Sequence, residues 1–199
     1  MALLCEKAFE LIQGAHGRDR LAHAFLVSGP PGSGKQALAA RVVDLLNPPE
    51  ASGGNLFGEP EEKPAPRELD DLEGEFVHVL QPRSKSRLIS VEEMRELERR
   101  MYLSAPSGVW KIGVIVDADR MNEAAENAFL KTLEEPPQNC LLFLLSAYPE
   151  FLLPTIRSRC VNITLQAGEH PEILESEEKA AFTALLTRAT AESSPENAL

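Results

Sequence analysis

Residues 24–36 read AFLVSGPPGSGKQ, and the reading of the last eight decides the fold. A short apolar run enters a glycine loop, which opens onto QALAARVVDLL (36–46), a stretch with helical apolar spacing. Strand, glycine loop and helix in that order are the setting of a phosphate-binding loop, G-x-x-x-x-G-K-[ST]. Gly29, Gly34 and Lys35 stand at the fixed positions of that pattern, with Gly32 and Ser33 inside the loop. Glycines let successive backbone N–H groups turn inward around phosphate oxygens at a helix start, where the helix dipole also favours an anion. Lys35 adds a point charge for the outer phosphates. Position 36 breaks the pattern: Gln36 replaces the hydroxyl residue that helps hold magnesium.

Outward from the loop, FVHVL (76–80), WKIGVIV (110–116), CLLFLLS (140–146) and CVNITL (160–165) predict four more strands. Between them, VEEMRELERRMYL (91–103) predicts a helix opened by a Ser90/Glu93 capping box. EAAENAFLKTLEE (123–135) predicts another, capped by Asn122 and ended by Pro136-Pro137. LLCEKAFELI (3–12) predicts an opening helix, and PEFLLPTIRSR (149–159) a short broken one. Strands alternating with helices predict an α/β fold over residues 1–167, a P-loop NTPase core of five parallel strands flanked by helices. The nearly continuous apolar runs suit a sheet covered on both faces.

The chain of 199 residues carries a net charge of −11, which argues against nucleic-acid binding until its distribution is considered. Residues 47–75 hold nine acids and two bases, and residues 168–199 hold seven acids and two bases. Without those two segments the remainder is near neutrality. The first reads as an acidic, Pro/Gly-rich loop or insert, the second as one amphipathic helical stretch followed by a polar tail. No apolar stretch reaches membrane-spanning length, and the N-terminus lacks the basic start of a secretory signal. Three cysteines with no C-x-x-C pair fit a reducing cytoplasm and argue against a disulfide frame or a zinc site. The loop QPRSKSR (81–87), with Arg83, Lys85 and Arg87, is either a solvated loop or a contact for DNA phosphates or an acidic neighbour.

A second nucleotide motif, an apolar strand ending in Asp-Glu, is half present. VIVDAD supplies Asp117, but Ala118 stands where the carboxylate that polarises attacking water is expected. Asp119, if the strand continues, points to the opposite face. Positioning and charge stabilisation are nearly all a protein contributes to phosphoryl transfer, so losing both groups predicts poor turnover of ATP. In TIRSRC (155–160) the arginines are either solvated at a helix end or placed to reach a neighbouring subunit's phosphate; such a finger is worth ~10³–10⁵ in rate.

LAHAFLVSGPPGSGK (21–35), NAFLKTLEEPP (127–137) and LLPTIRSRC (152–160) together resemble the AAA+ module of bacterial DNA polymerase III clamp-loader subunits, over roughly residues 5–166. Asp-Ala after the third strand and the altered loop are similar to the delta-prime type within that family, rather than to the ATPase type, gamma and tau. The resemblance implies a pentameric ring that sets a sliding clamp on primed DNA, with gamma/tau, delta and the clamp as partners. It implies that Arg159 acts in trans as an arginine finger, with Ser158 and Cys160 seating it. Ser146 falls at the position that senses the γ-phosphate. Lys131 and Glu134 lie in the shared helix block, either functional or on a solvated face.

The nucleotide-binding set expected is therefore Gly29, Gly32, Ser33, Gly34, Lys35, Gln36, Asp117 and Ser146, with ATP or ADP held weakly or vestigially and magnesium in question. Members of the family that the chain resembles often carry a four-cysteine zinc module between the phosphate loop and the next strand; residues 47–75 contain no cysteine, so no zinc is expected. The lid and collar domains that the resemblance implies are not among the 199 residues. The leading expectation is a largely non-hydrolysing loader subunit. The alternatives are an active or weakly active loader ATPase and a solitary nucleotide-binding regulator.

Overall fold

A computed structural model describes residues 2–48, 67–82 and 87–167. The acidic tail, most of the insert, and Arg83 and Lys85 of the basic loop lie outside the described residues. Strand β1 (Ala24–Ser28) is followed by helix α2 (Lys35–Leu46), and helix α1 (Cys5–His16) precedes both. Then come β2 (Val77–Leu80), α3 (Val91–Met101), β3 (Lys111–Ile115), α4 (Glu123–Glu134), β4 (Cys140–Ser146), α5 (Pro154–Arg157) and β5 (Val161–Thr164).

The five strands form one sheet in the order β2-β3-β4-β1-β5. Every pairing is parallel. This is the P-loop NTPase architecture of AAA+ cores that the alternation of strands and helices predicts. Parallel strands need crossovers, and helices fill them on both faces.

The period of two along each strand divides the core. Phe25, Val27, Ile112, Val114, Phe143 and Leu145 pack toward α1 and α2, with Ile12, Leu38 and Val42. Leu26, Ile115, Leu142 and Leu144 pack the other way, against Met94, Leu97, Phe129 and Leu133 of α3 and α4. Phe25 and Phe143 sit opposite each other in the register, their rings stacked 5.6 Å apart.

Local signals place the helix starts where the spacing predicts. Glu93 N–H donates to Ser90 Oγ at 3.3 Å, and Ser90 N–H donates back to Glu93 Oε2 at 2.8 Å, a reciprocal capping box at α3. Asn122 Oδ1 accepts from Ala125 N–H at 2.8 Å and caps α4. Helix α1 is clamped to α2 by a two-pronged ion pair, Arg41 to Glu6 at 2.6 and 3.0 Å, with the guanidinium 4.0 Å above the Phe9 ring.

One part of the insert differs from the loop its composition predicts. Residues 67–75 are packed: Leu69 and Leu72 are buried in the α1/α2 core, and Arg67 pairs with Asp44 of α2. Two leucines at i and i+3 on a short turn supply the apolar contact that proline, glycine and acid content obscures. Among the described residues no helix is long and apolar enough to cross a membrane.

Candidate functional site

Parallel strands deliver their following loops to the same edge of a sheet. At the C-terminal edge, the ends of β1, β3 and β4 bring the glycine loop, Asp117 and Ser146 together. A cavity of about 430 Å³ lies there, lined among others by Gly32, Ser33, Lys35, Gln36 and Asp117. Gly34 caps α2 in the left-handed region (φ 82°), and Gly32 has φ 77°, so both turns suit residues without Cβ. Gly29 is constrained by space: a Cβ there would lie 2.6 Å from the Leu165 carbonyl oxygen and 2.7 Å from Ser33 Oγ.

Ser33 Oγ is buried with no hydrogen-bond partner. An orphaned buried hydroxyl inside a glycine loop at a helix start is a feature that an anion's oxygens would satisfy. The loop therefore fits a phosphate group. Lys35 Nζ folds back on the loop and donates to the carbonyls of Gly29 and Pro30 at 2.6 and 2.9 Å. Burial pushes its pKa down, opposed by Asp117 and Asp119.

The strand does not continue through VIVDAD as the face argument for Asp119 assumes. It ends at Ile115; Asp117 turns into the left-handed region (φ 51°), and a 3-10 turn spans Ala118–Arg120. That turn swings Asp119 back to the site, where its Oδ1 accepts from Ser146 Oγ–H. Ser146 is fully buried and also accepts the Tyr148 N–H at 3.0 Å. The hydroxyl expected to watch a γ-phosphate is thus engaged by a carboxylate of its own chain. Asp117 lies 4.0 Å from the Arg120 guanidinium, and both side chains are about half exposed.

Arg159 is at the other edge. The register sets Phe25 against Val161 and Ser28 against Thr164, so Arg159 and the glycine loop are separated by at least the length of β5, four residues or roughly 13 Å at ~3.3 Å per residue. The loop of this chain and the arginine of this chain do not share a site. Arg159 Nη2 donates to Glu134 Oε1 at 2.6 Å and Nη1 to the Thr155 carbonyl at 3.0 Å.

Ser158 Oγ donates to the same Thr155 carbonyl at 3.0 Å. Cys160 is buried, and burial pushes its thiol up to about 12. The Glu134–Arg159 pairing is invisible to sequence reasoning, which leaves Glu134 as one of two residues in a helix block; Lys131 is exposed. The Asp119–Ser146 bond is likewise missed, because it depends on where β3 stops.

The family described as DNA polymerase III, delta subunit, matches residues 5–169. DNA polymerase III subunit delta' of Pseudomonas aeruginosa is 37% identical over 146 residues, 73% of this chain and 44% of that protein. DNA polymerase III subunit tau/gamma of Haemophilus influenzae is 32% identical over 155 residues, 78% of this chain and 22% of that protein. Among solved structures, a DNA polymerase III gamma subunit-related protein of Thermotoga maritima matches with a TM-score of 0.59 at 21% identity, over 84% of this chain and 47% of that one. At that identity the likeness speaks to fold. The chain spans less than half the length of these relatives.

Proposed function

This chain belongs to the DNA polymerase III delta-subunit family, and from that premise we propose that it is a delta-prime-type subunit of a clamp loader in DNA replication. In this reading it hydrolyses little ATP itself and supplies Arg159 to the ATP site of an adjacent gamma/tau-type subunit. The other partners are a delta subunit, the sliding clamp and, through the complex, primed DNA.

The observation that carries the proposal is the separation of loop and arginine onto opposite edges of one sheet. An arginine the length of β5 away from its own phosphate loop, roughly 13 Å at ~3.3 Å of strand per residue, can stabilise a transferring phosphoryl group only in another subunit. The state of the loop supports the same division. Gln36 and Ala118 remove the magnesium hydroxyl and the water-polarising carboxylate. Lys35 is turned onto Gly29 and Pro30, and Ser146 onto Asp119. ATP or ADP, when bound, supplies phosphate oxygens that the N–H groups of residues 32–35, Ser33 Oγ and Lys35 would hold.

A second reading, an active or weakly active ATPase of the same complex, draws on the tau/gamma relative and on Asp117 at the cavity. One assay separates them. The isolated chain with Mg-ATP is expected to hydrolyse at background; turnover near ~1 s⁻¹, the low end of ordinary enzyme rates, would overturn the non-hydrolysing reading.

A further inference from the structure

Helix α4 grips the arginine segment at two points. Positions 126 and 134 are two turns apart and lie on one side of the helix. In the first turn of α4, buried Glu126 accepts the Leu153 N–H at 2.9 Å, just before Pro154 opens α5. At its last residue, Glu134 accepts from Arg159 Nη2 at 2.6 Å. The first contact fixes where the segment starts, and the second fixes the side chain it carries.

Helix energetics alone do not favour an acid at Glu134. As the final residue of α4 it lies against the negative end of the helix dipole. A cation docked on it reverses that sign. Arg159 is the partner chosen, whereas Arg157, two residues earlier, has no carboxylate partner among the described residues, and its Nε is buried without a hydrogen bond.

The geometry at Arg159 is asymmetric. Two of its N–H groups are engaged, by Glu134 and by the Thr155 carbonyl. The rest of the fork has no partner among the described residues, and the side chain is 35% exposed. Glu134 is 52% exposed, so water screens the pair and leaves most of the arginine's attraction for a phosphate. Such a contact orients a guanidinium without neutralising it.

We propose that Glu134 is the positioning residue for Arg159: it holds one edge of the guanidinium so that the other is presented, already ordered, to the phosphate in a neighbouring subunit. The proposal rests on Arg159 acting in trans. An arginine fixed beforehand gives up little rotamer freedom when the phosphate arrives, and the gain falls on the chemical step.

The test reconstitutes the full chain with the gamma/tau-type and delta subunits of its own organism, clamp and primed DNA, and measures kcat and KM for ATP. Glu134→Ala is expected to lower kcat about tenfold through misplacement, with KM and the yield of complex unchanged. Glu134→Gln, which keeps an acceptor oxygen, is expected to recover most of that loss. Adding Glu134→Ala to Arg159→Ala is expected to cost nothing further.

A wild-type kcat for Glu134→Ala, or an equal loss in the Arg159→Ala background, overturns the positioning role. So does a fall in melting temperature that accounts for the lost activity through lost complex. If Arg159→Ala itself leaves hydrolysis unchanged, or the chain does not join the ATPase subunits, the in-trans reading fails and the positioning role with it.

Discussion

The two edges of the sheet use polar side chains in opposite ways. At the C-terminal edge the groups near the glycine loop turn on one another: Lys35 onto loop carbonyls, Ser146 onto Asp119. At the N-terminal edge Arg159 is held along one side and exposed along the other. One edge has the form of a catalytic site with its reactive groups occupied. The other presents a cation anchored along one side. In the proposed reading the fold keeps the shape of an engine while its contribution lies on the far side of the sheet.

The sharpest way to break this contrast is to remove one cation from each edge. In the assembled complex, Arg159→Ala is expected to lower DNA-stimulated ATP hydrolysis by about 10³-fold, the low end for a lost arginine finger. Lys35→Ala is expected to leave it within about twofold, since the neighbour's site does not contain that lysine. Steady-state hydrolysis, with gel filtration to verify assembly, measures both. Equal losses would mean that this chain's own loop takes part in turnover.

A second test concerns the loop as structure rather than chemistry. Gly29→Ala forces a Cβ to within 2.6 Å of the Leu165 carbonyl oxygen, a backbone atom that cannot swing aside. Overpacking of this kind costs about 1–3 kcal/mol. For a chain of this size that lowers the melting temperature by several degrees, at about 2–4 °C per kcal/mol. Gly108→Ala provides the contrast: nothing lies within 4 Å of a Cβ there, and the remaining strain is that of its positive φ, 85°. If Gly29→Ala melts with the wild type, the loop is looser than its contacts require.

How much of this was legible beforehand follows from the range of each interaction. The strands, the loop and the caps at Ser90 and Asn122 depend on a few neighbouring residues, and the sequence displays them directly. Arg159 and Gln36 were legible as single letters in motifs. Glu134 was legible only as a member of a helix block; its pairing with Arg159 was not, since that partner is 25 residues away and the contact exists only once α4 lies beside α5. Asp119 was misjudged for a different reason: its direction depends on β3 ending at Ile115, and strand ends are set by ladder partners rather than by apolarity. Leu69 and Leu72 were hidden by composition, because two buried leucines weigh little against a segment rich in proline and acid.

Gln36 offers a smaller and more local probe of the first edge. Gln36→Thr restores a short hydroxyl next to Lys35 and is expected to raise magnesium-dependent binding of ATP about tenfold, the worth of a hydrogen bond to a charged group. Hydrolysis should stay at background, because Ala118 still lacks the carboxylate. Calorimetry with and without magnesium reads the binding. A variant that gains turnover outright would show that the loop needs only one letter to work.

The smallest expected effect lies between the edges, at Glu126, where α4 anchors the arginine segment. The residue is 6% exposed, and burial raises its pKa, partly offset by the hydrogen bond from Leu153 N–H. The folded protein therefore holds this proton more tightly than the unfolded chain. Between the unfolded carboxylate value and the raised folded one, stability from this group falls as pH rises, and above that window the buried charge is a standing cost. Glu126→Gln keeps an acceptor for Leu153 and removes the charge. At pH 7 it is expected to melt at or slightly above the wild type, by up to about 2–4 °C for each kcal/mol recovered. As pH falls through the window, wild-type Glu126 becomes neutral and the advantage should disappear. A Glu126→Gln protein that melts lower than the wild type at pH 7, with the deficit closing at acid pH, would mean that the charge strengthens the bond to Leu153 by more than its burial costs. The anchor at the start of the arginine segment would then be electrostatic, like the one at its end.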